Sequence, residues 1–463
     1  MPKIVIIGAG SASFGPAILG DLFLHAHLLR GSAIWLVDTN AETLDLMTRY
    51  ANQINNKKLH RGEAAFEIFA SQNRREALPN ADFVIVAVAV DRITTWKLDW
   101  QIPLKHGVRH VLGENGGPGG LSHALRNIPL LLDIAHDVEK LAPNAFLFNF
   151  TNPMSRVCLA LHQHSNVKFV GLCHQIGEGY RLVNEVLGLV EKKNQKPKAK
   201  NEEYRIEGGE EAARREYGAQ LDARYHLVAA GLNHFTFVLD MVDRQTGEDL
   251  YPIFRRKVQH MPAYWELMSR RLMDAFGLFC ATGDGHAGEY VGFAAETMPL
   301  TGYDFDAYER LGQAQWAKIK LTVEHQSSIA ASPSFLPSGE RVVPILCAML
   351  RGLNQLELSV NLPNQGCIEN LPADAIVEVP GVVHVYGGSV HGVHVGALPR
   401  GLAALMQREI DIQMLCVEAA VKGDRNAALQ ALLLDPHIHS YAKANYLLDD
   451  LLRAHAKYLP QFA

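Results

Sequence analysis

Two adjacent pairs, Cys173-His174 and Asn233-His234, hold the residue types most able to bind a metal. The first directly follows a short apolar run and the second lies in a later β-like stretch. A thiolate and imidazoles are ligands for a borderline divalent cation, whereas a harder ion takes oxygen donors. Their spacing is not that of a closed structural zinc site, so an open site completed by ligand oxygens fits it better. With 21 histidines in the chain, one Cys-His adjacency is unsurprising, and only the joint pattern carries weight. The segment Thr282-Gly283-Asp284-Gly285-His286-Ala287-Gly288-Glu289-Tyr290 is dense in titratable groups. A segment of this kind can carry a general base.

Near the N-terminus, Gly8-Ala9-Gly10-Ser11-Ala12-Ser13 follows an apolar run, and Asp38 stands at the end of the next one. Glycines let such a turn approach a pyrophosphate at a helix N-terminus, and the acid accepts ribose hydroxyls. Gly8, Gly10, Ser11, Phe14 and Asp38 are therefore the expected dinucleotide contacts. Ser13 stands where the pattern has its third glycine, and Asp38 in place of a basic residue favours NAD over NADP. Asn152, in Phe150-Thr151-Asn152-Pro153, is placed to bond both substrate hydroxyls and a nicotinamide ribose, held extended by Pro153. The glycine-rich stretch Gly113–Gly120 contains Glu114 and reads as a loop folding over a ligand. Arg126 beyond it, and Arg156 after the Asn152 loop, are candidates to clamp an anion or hydroxyls.

These residues need a scaffold that gathers strand ends. Lys3–Ile7, Ile34–Val37, Phe83–Val90, Ala145–Phe150 and Phe169–Leu172 read as strands, the third as a run buried on both faces. Helical stretches Phe14–Leu29, Ala41–Lys58 and Ile128–Leu141 alternate with them, which predicts a doubly wound α/β sheet to about residue 175. Ligands gather at the carboxyl ends of such strands, where Gly8, Asn152 and Cys173 all fall. Glu191–Tyr217, rich in Lys, Asn, Glu and Gly, reads as a mobile connection. We therefore expect a Rossmann-like domain over residues 1–190 and an α+β domain over 191–463. In the latter, Leu227–Val242 is strand-rich, and Tyr264–Phe276, Ala307–His325, Leu402–Ala419 and Ala427–Leu434 are helical.

Of 463 residues, 48% are hydrophobic and 20% charged, which is ordinary globular usage. No run is long and apolar enough to span a bilayer, the six cysteines show no paired spacing, and the formal charge of −5 offers no sustained basic face. The expectation is a cytoplasmic protein with reduced thiols and a small-molecule ligand, with neither nucleic acid nor membrane as partner.

The series GAGSASF, Asp38, GPGGLSHALRNIP, FTNPMS, GLCHQ, GLNHF, GHAGEY, NLPNQGCIENLP, VEVP and LPRGLAALMQREIDIQ resembles glycoside hydrolase family four along nearly the whole chain. Within the family it is most similar to the α-galactosidase (melibiase) and α-uronidase branch. The resemblance implies a fold like lactate and malate dehydrogenases, and the cofactors NAD and Mn²⁺ or another divalent cation. It implies Cys173 and His234 as metal ligands, with His174 and Asn152 beside substrate and metal; Asn233 and Arg126 are further candidates at the substrate. Relatives carry an Asp where Glu114 stands, activating the C3 hydroxyl, and use a Tyr or an Asp as the C2 base in the region matching Thr282–Tyr290, which leaves Asp284, His286 and Tyr290 as candidates with Asp284 preferred. The family's reaction oxidises C3, removes the C2 proton, eliminates the glycosidic oxygen, adds water and reduces C3 again. This is the NAD-dependent exception to two-carboxylate hydrolysis. A non-phosphorylated α-glycoside is expected, α-galactoside first and α-glucuronide or α-galacturonide next, on a homodimer or homotetramer. The rival reading is an NAD-dependent sugar or hydroxy-acid dehydrogenase, which the same fold supports.

Overall fold

The computed structural model of the protein describes residues 1–60, 66–188, 224–298, 303–325, 337–384 and 388–463. The connection expected at Glu191–Tyr217 lies outside the described residues. Six parallel strands form the first half of the sheet: β1 (Lys3–Ile7), β2 (Ala33–Val37), β3 (Glu67–Ser71), β4 (Phe83–Val86), β5 (Phe146–Asn149) and β6 (Lys168–Gly171). Their spatial order is β3-β2-β1-β4-β5-β6, the doubly wound arrangement that was expected. Successive side chains of a strand point to opposite faces. Ile4 and Ile6 accordingly pack with α1 (Phe14–Leu24) and α2 (Ala41–His60), while Val5 and Ile7 pack with α5 (Gly117–Leu141) and α6 (Met154–His164). Burial on both faces explains why these strands read as continuous apolar runs. The strand expected over Phe83–Val90 stops at Val86, and the helix expected to reach Leu29 stops at Leu24.

The sheet does not end near residue 190. Strand β9 (Gln355–Pro363) pairs antiparallel with β6 through Gly171 and Asn361, and β10 (Ile376–His384), β7 (Tyr225–Leu232) and β8 (Phe235–Asp243) follow it. Antiparallel addition reverses the chain, which lets the β7–β8 hairpin turn lie beside the carboxyl ends of the parallel strands. Four helices of the second half, Leu267–Phe276, Phe305–His325, Arg400–Lys422 and Arg425–Leu434, fall close to their expected positions.

The glycine-rich stretch differs from expectation. It is not a free loop over a ligand: α5 begins at Gly117, with Pro118 in its first turn. A Cβ at Gly116 would lie 2.5 Å from the Glu289 carbonyl oxygen, and one at Gly119 would lie 2.4 Å from the Gly113 carbonyl oxygen. The glycines serve close backbone packing, and the segment is buried.

Arg126 is also corrected. It points into the protein, 2% exposed, and donates through both terminal nitrogens to Asp99, which His455 meets at 2.9 Å. Arg156 is likewise buried, donating to Glu409 at 3.1 Å. Neither guanidinium lines the cleft at the carboxyl ends of the strands. Burial alone would raise the Asp99 pKa, but Arg126 and His455 outweigh it and hold the group at about 2. Ionised Asp99 therefore stabilises the fold above its ordinary value of 3.8, and that contribution fades as pH falls from 3.8 towards 2. Arg126→Leu should cost about 3–5 kcal/mol at neutral pH because it strands a buried carboxylate. Urea titration at pH 7 and pH 3 checks this: the gap between parent and variant should narrow at the lower pH as Asp99 takes up a proton.

Candidate active site

A cleft of about 980 Å³ opens along the carboxyl ends of the parallel strands, where the fold leaves backbone and side chains free to meet a ligand. Gly8, Gly10, Ser11, Phe14 and Asp38 line one end, and Glu114, Asn152, Cys173, His174, His234 and His286 line the other. At the first end Gly8 has φ +92, and a Cβ there would meet the Ala87 carbonyl oxygen at 2.1 Å. Only glycine fits that turn. The Asp38 carboxylate accepts from Gly10 N at 2.8 Å and from Asn40 N at 2.9 Å, which ties the end of β2 to the turn. The close-packing glycine that seemed missing at Ser13 is Gly15, the second residue of the helix. A Cβ on it would lie 2.5 Å from the Ala9 carbonyl oxygen. Arg74 and Arg75 also line this end, and both bond Asp137.

At the other end, Cys173 follows β6 and His234 occupies the two-residue turn between β7 and β8. Cys173 Sγ lies 3.4 Å from His234 Nε2. His234 adopts φ +64, a left-handed conformation uncommon for a side chain of this size. The turn is held from behind, since Thr282 Oγ1 donates to the His234 carbonyl at 3.0 Å and Tyr290 Oη donates to the Asn233 carbonyl at 3.1 Å. Asn233 Nδ2 donates to Glu378 at 2.6 Å, so this side chain turns away from the cleft. Burial pushes the Cys173 thiol well above its ordinary range, with Glu378 adding to the effect. Burial and the neighbouring His286 and His174 push the His234 pKa well below its ordinary value. A neutral imidazole beside a thiol that ionises only against a positive charge suits a divalent cation.

The loop carrying Asp284, His286 and Tyr290 resolves into different faces. The Asp284 carboxylate accepts from Met268 N at 2.9 Å and from Ser269 N and Oγ at 2.7 and 2.8 Å, capping the helix Leu267–Phe276. With those oxygens engaged in the interior, the preference for Asp284 as the base does not fit the geometry. Tyr290 is 2% exposed and serves the hairpin turn. His286 alone of the three lines the cleft, its ring centroid 4.2 Å from that of His234.

Four groups escaped the sequence reading. Arg92 Nη2 donates to Glu114 Oε1 at 2.7 Å. Burial would raise the Glu114 pKa, yet Arg92, His123 and His286 outweigh it and keep the carboxylate ionised. Glu289 accepts from Glu114 N at 2.8 Å and Asn115 N at 3.2 Å, and burial lifts its pKa to about 8. Glu340 lies 3.5 Å from His174 Nδ1. Asn127 Nδ2 donates to the Asn152 carbonyl at 2.7 Å, fixing the loop whose Asn152–Pro153 peptide is cis. Arg92 and Glu340 stand in no motif and give no signal in one sequence, whereas Glu289 and Asn127 sit inside motifs whose neighbouring residues are the more evident candidates. All six cysteines are free thiols, and no helix among the described residues is long and apolar enough to cross a membrane.

Comparison with known proteins agrees with this arrangement. The model of family 4 glycosyl hydrolases matches residues 3–189, and that of the family 4 C-terminal domain matches residues 229–438. An α-glucosidase of Erwinia rhapontici is 34% identical, with 94% of this chain and 93% of the relative covered. An α-galactosidase of Bacillus subtilis (strain 168) is 28% identical over the whole of both chains. The structure of a 6-phospho-α-glucosidase from gut microorganisms, in complex with NAD and Mn²⁺, superposes with a TM-score of 0.79 at 19% identity, covering 99% of each chain. With the Gly8 turn, the Cys173-His174 strand end and the Asn233-His234 hairpin meeting inside two matched segments, the chain belongs to glycoside hydrolase family 4.

Proposed function

We propose that this enzyme hydrolyses a non-phosphorylated α-glycoside of a neutral hexose, using NAD and a divalent cation that are unchanged over each turnover. The observation that carries the proposal is the joining, in one cleft, of a dinucleotide-type turn with a Cys173–His234 pair 3.4 Å apart. Some dehydrogenases also combine the two, and membership of family 4 is what favours hydrolysis over net oxidation. NAD would supply and recover a hydride at C3 of the sugar, and the cation would act there as a Lewis acid. Gly8, Gly10, Ser11, Phe14 and Asp38 would hold the dinucleotide, and Cys173 and His234 the cation. The kinship to an α-glucosidase at 34% supports a neutral hexose, with an α-galactosidase at 28% and an α-galacturonidase at 29% following it. The α-galactoside expected from sequence thus shares first place with its C4 epimer.

The chain's own groups handle the protons. Glu114, kept ionised by Arg92, accepts the proton of the C3 hydroxyl as that carbon is oxidised. His174, 3.5 Å from the buried Glu340, takes the proton from C2; Asp284 and Tyr290 are engaged in the interior, and His286 packs against the ring of His234. Asn152, on a loop anchored by Asn127, bonds the sugar hydroxyls between them.

Two measurements test the reading. Nitrophenol release from p-nitrophenyl α-glucoside or α-galactoside should require both NAD⁺ and Mn²⁺, with no NADH accumulating. One NADH per turnover would identify a dehydrogenase instead. Activity confined to 6-phosphorylated sugars or uronides would overturn the substrate assignment. Run in D₂O, the reaction should place deuterium at C2 of the released sugar. His174→Asn should lose about 10²–10⁴-fold in rate together with that exchange. Unlabelled product from the parent enzyme would point to direct displacement at C1, and full exchange in the variant would remove His174 from the role.

A further inference from the structure

Arg92, which donates to Glu114, is itself held by two aromatic rings. Its guanidinium carbon lies 5.4 Å from the ring centroid of Trp96, one turn along the same helix (Arg92–Lys105), and 5.7 Å from that of Tyr308. The two rings stand at 89° with centroids 5.6 Å apart, so they form a corner around the guanidinium. A cation within about 6 Å of an aromatic face is drawn to it electrostatically. Tyr308 belongs to the helix Phe305–His325 of the second half, and both it and Arg92 line the cleft. The corner is anchored on both sides. Trp96 Nε1 donates to the Leu112 carbonyl at 2.8 Å and Trp100 Nε1 to the Val111 carbonyl at 2.9 Å, which fixes the chain leading into Glu114. Phe305 packs edge-on against Trp96 at 5.2 Å between centroids, and Lys97 Nζ donates to Glu309 at 3.1 Å, which docks the second helix on the first.

The side chain of Arg92 is 36% exposed and that of Glu114 only 10%. A long side chain open to solvent has other rotamers to visit, so its aim on a nearly buried carboxylate needs a restraint. We propose that Tyr308 is a positioning residue: its ring, with that of Trp96, holds Arg92 on Glu114, so that a helix of the second half controls a reactive carboxylate of the first. The inference rests on the role of Glu114 proposed above. Arg92, His123 and His286 are the positive groups that face this carboxylate, Asn152 bonds it, and Glu289 lies behind its backbone amide. Burial raises the Glu114 pKa, and Arg92 is the strongest charge opposing it. Once Arg92 swings away, Glu114 takes up a proton at a higher pH, and a protonated Glu114 cannot accept the proton of the C3 hydroxyl. The acid limb of kcat/KM, which reports groups of the free enzyme, then moves to higher pH.

The test compares Tyr308→Leu, which keeps an apolar side chain and removes the ring face, with Tyr308→Phe, which keeps the face. Arg92→Met gives the limit of complete loss. In the presence of NAD⁺ and Mn²⁺, Tyr308→Leu should move the acid limb of kcat/KM up by about half a pH unit or more, in the same direction as Arg92→Met. Tyr308→Phe should restore the parent profile. A fluorinated phenylalanine at this position keeps the shape and weakens the π face, so it serves if the Leu variant does not fold, and it should shift the limb as Leu does. The second readout needs no turnover. ¹³C NMR of protein labelled at the glutamate carboxyl carbon, with Mg²⁺ in place of paramagnetic Mn²⁺ and Glu114→Gln to identify the resonance, should show the same displacement in the titration of Glu114. A raised KM with the limb and the resonance unmoved would make Tyr308 a substrate contact and overturn the inference, as would a Phe variant displaced as far as Leu. Failure of the proposed hydrolysis would leave the NMR titration to decide the inference separately.

Discussion

The site depends on one approach: Cys173 Sγ to His234 Nε2 across 3.4 Å. These residues are far apart in the chain, and each comes from a different kind of strand pairing. Cys173 lies at the carboxyl end of a parallel strand, the usual place for ligand chemistry in a doubly wound sheet. His234 lies at the tip of an antiparallel hairpin that the parallel half alone would not contain. The β6–β9 junction joins the two, because antiparallel addition at Gly171 and Asn361 lets β10, β7 and β8 continue the same sheet. Had the sheet ended at β6, the cleft would hold a dinucleotide turn and a thiol without the facing imidazole.

Behind that contact, buried polar groups work as braces. Tyr290 and Thr282 hold the carbonyls of Asn233 and His234, Glu378 holds the Asn233 amide, and Glu289 holds the amides of Glu114 and Asn115. Each bond is of ordinary strength, but in a low-dielectric interior the alternative is an unmet polar atom, so the network specifies one arrangement. The groups facing the cleft, by contrast, have protonation states suited to chemistry. Arg92 keeps Glu114 ionised, and burial keeps His234 neutral. The same segment thus supplies both braces and reactive groups, which is why its residues are hard to sort from sequence.

The nine residues from Thr282 to Tyr290 illustrate that difficulty. Their types announce a functional segment, and all three proposed bases are titratable. Gly283–Ala287 forms a short helix, in which Asp284 and His286 are two residues and so about 200° apart. One must face inward when the other faces the cleft. Which one does so depends on the free amides of the helix Leu267–Phe276, which draw in the Asp284 carboxylate. That partner lies outside the motif. Arg126 was misplaced for the same reason, since its mate Asp99 is on another helix and carries no motif.

The sequence alone therefore determined the local geometry and the chemical repertoire. Glycine at position 8 is required by a turn that no side chain fits, and the continuous apolar runs dictate a sheet covered on both faces. Cysteine and histidine at strand ends then define what kind of ligand is bound. Tertiary structure alone decided which titratable groups reach the cleft, which brace it, and that Arg126 and Arg156 pair with buried carboxylates away from it. The division has a physical basis. Backbone sterics and hydrophobic periodicity act over a few residues and are written in neighbouring letters. Hydrogen bonding and charge pairing of buried groups depend on partners brought together only when distant strands join one sheet.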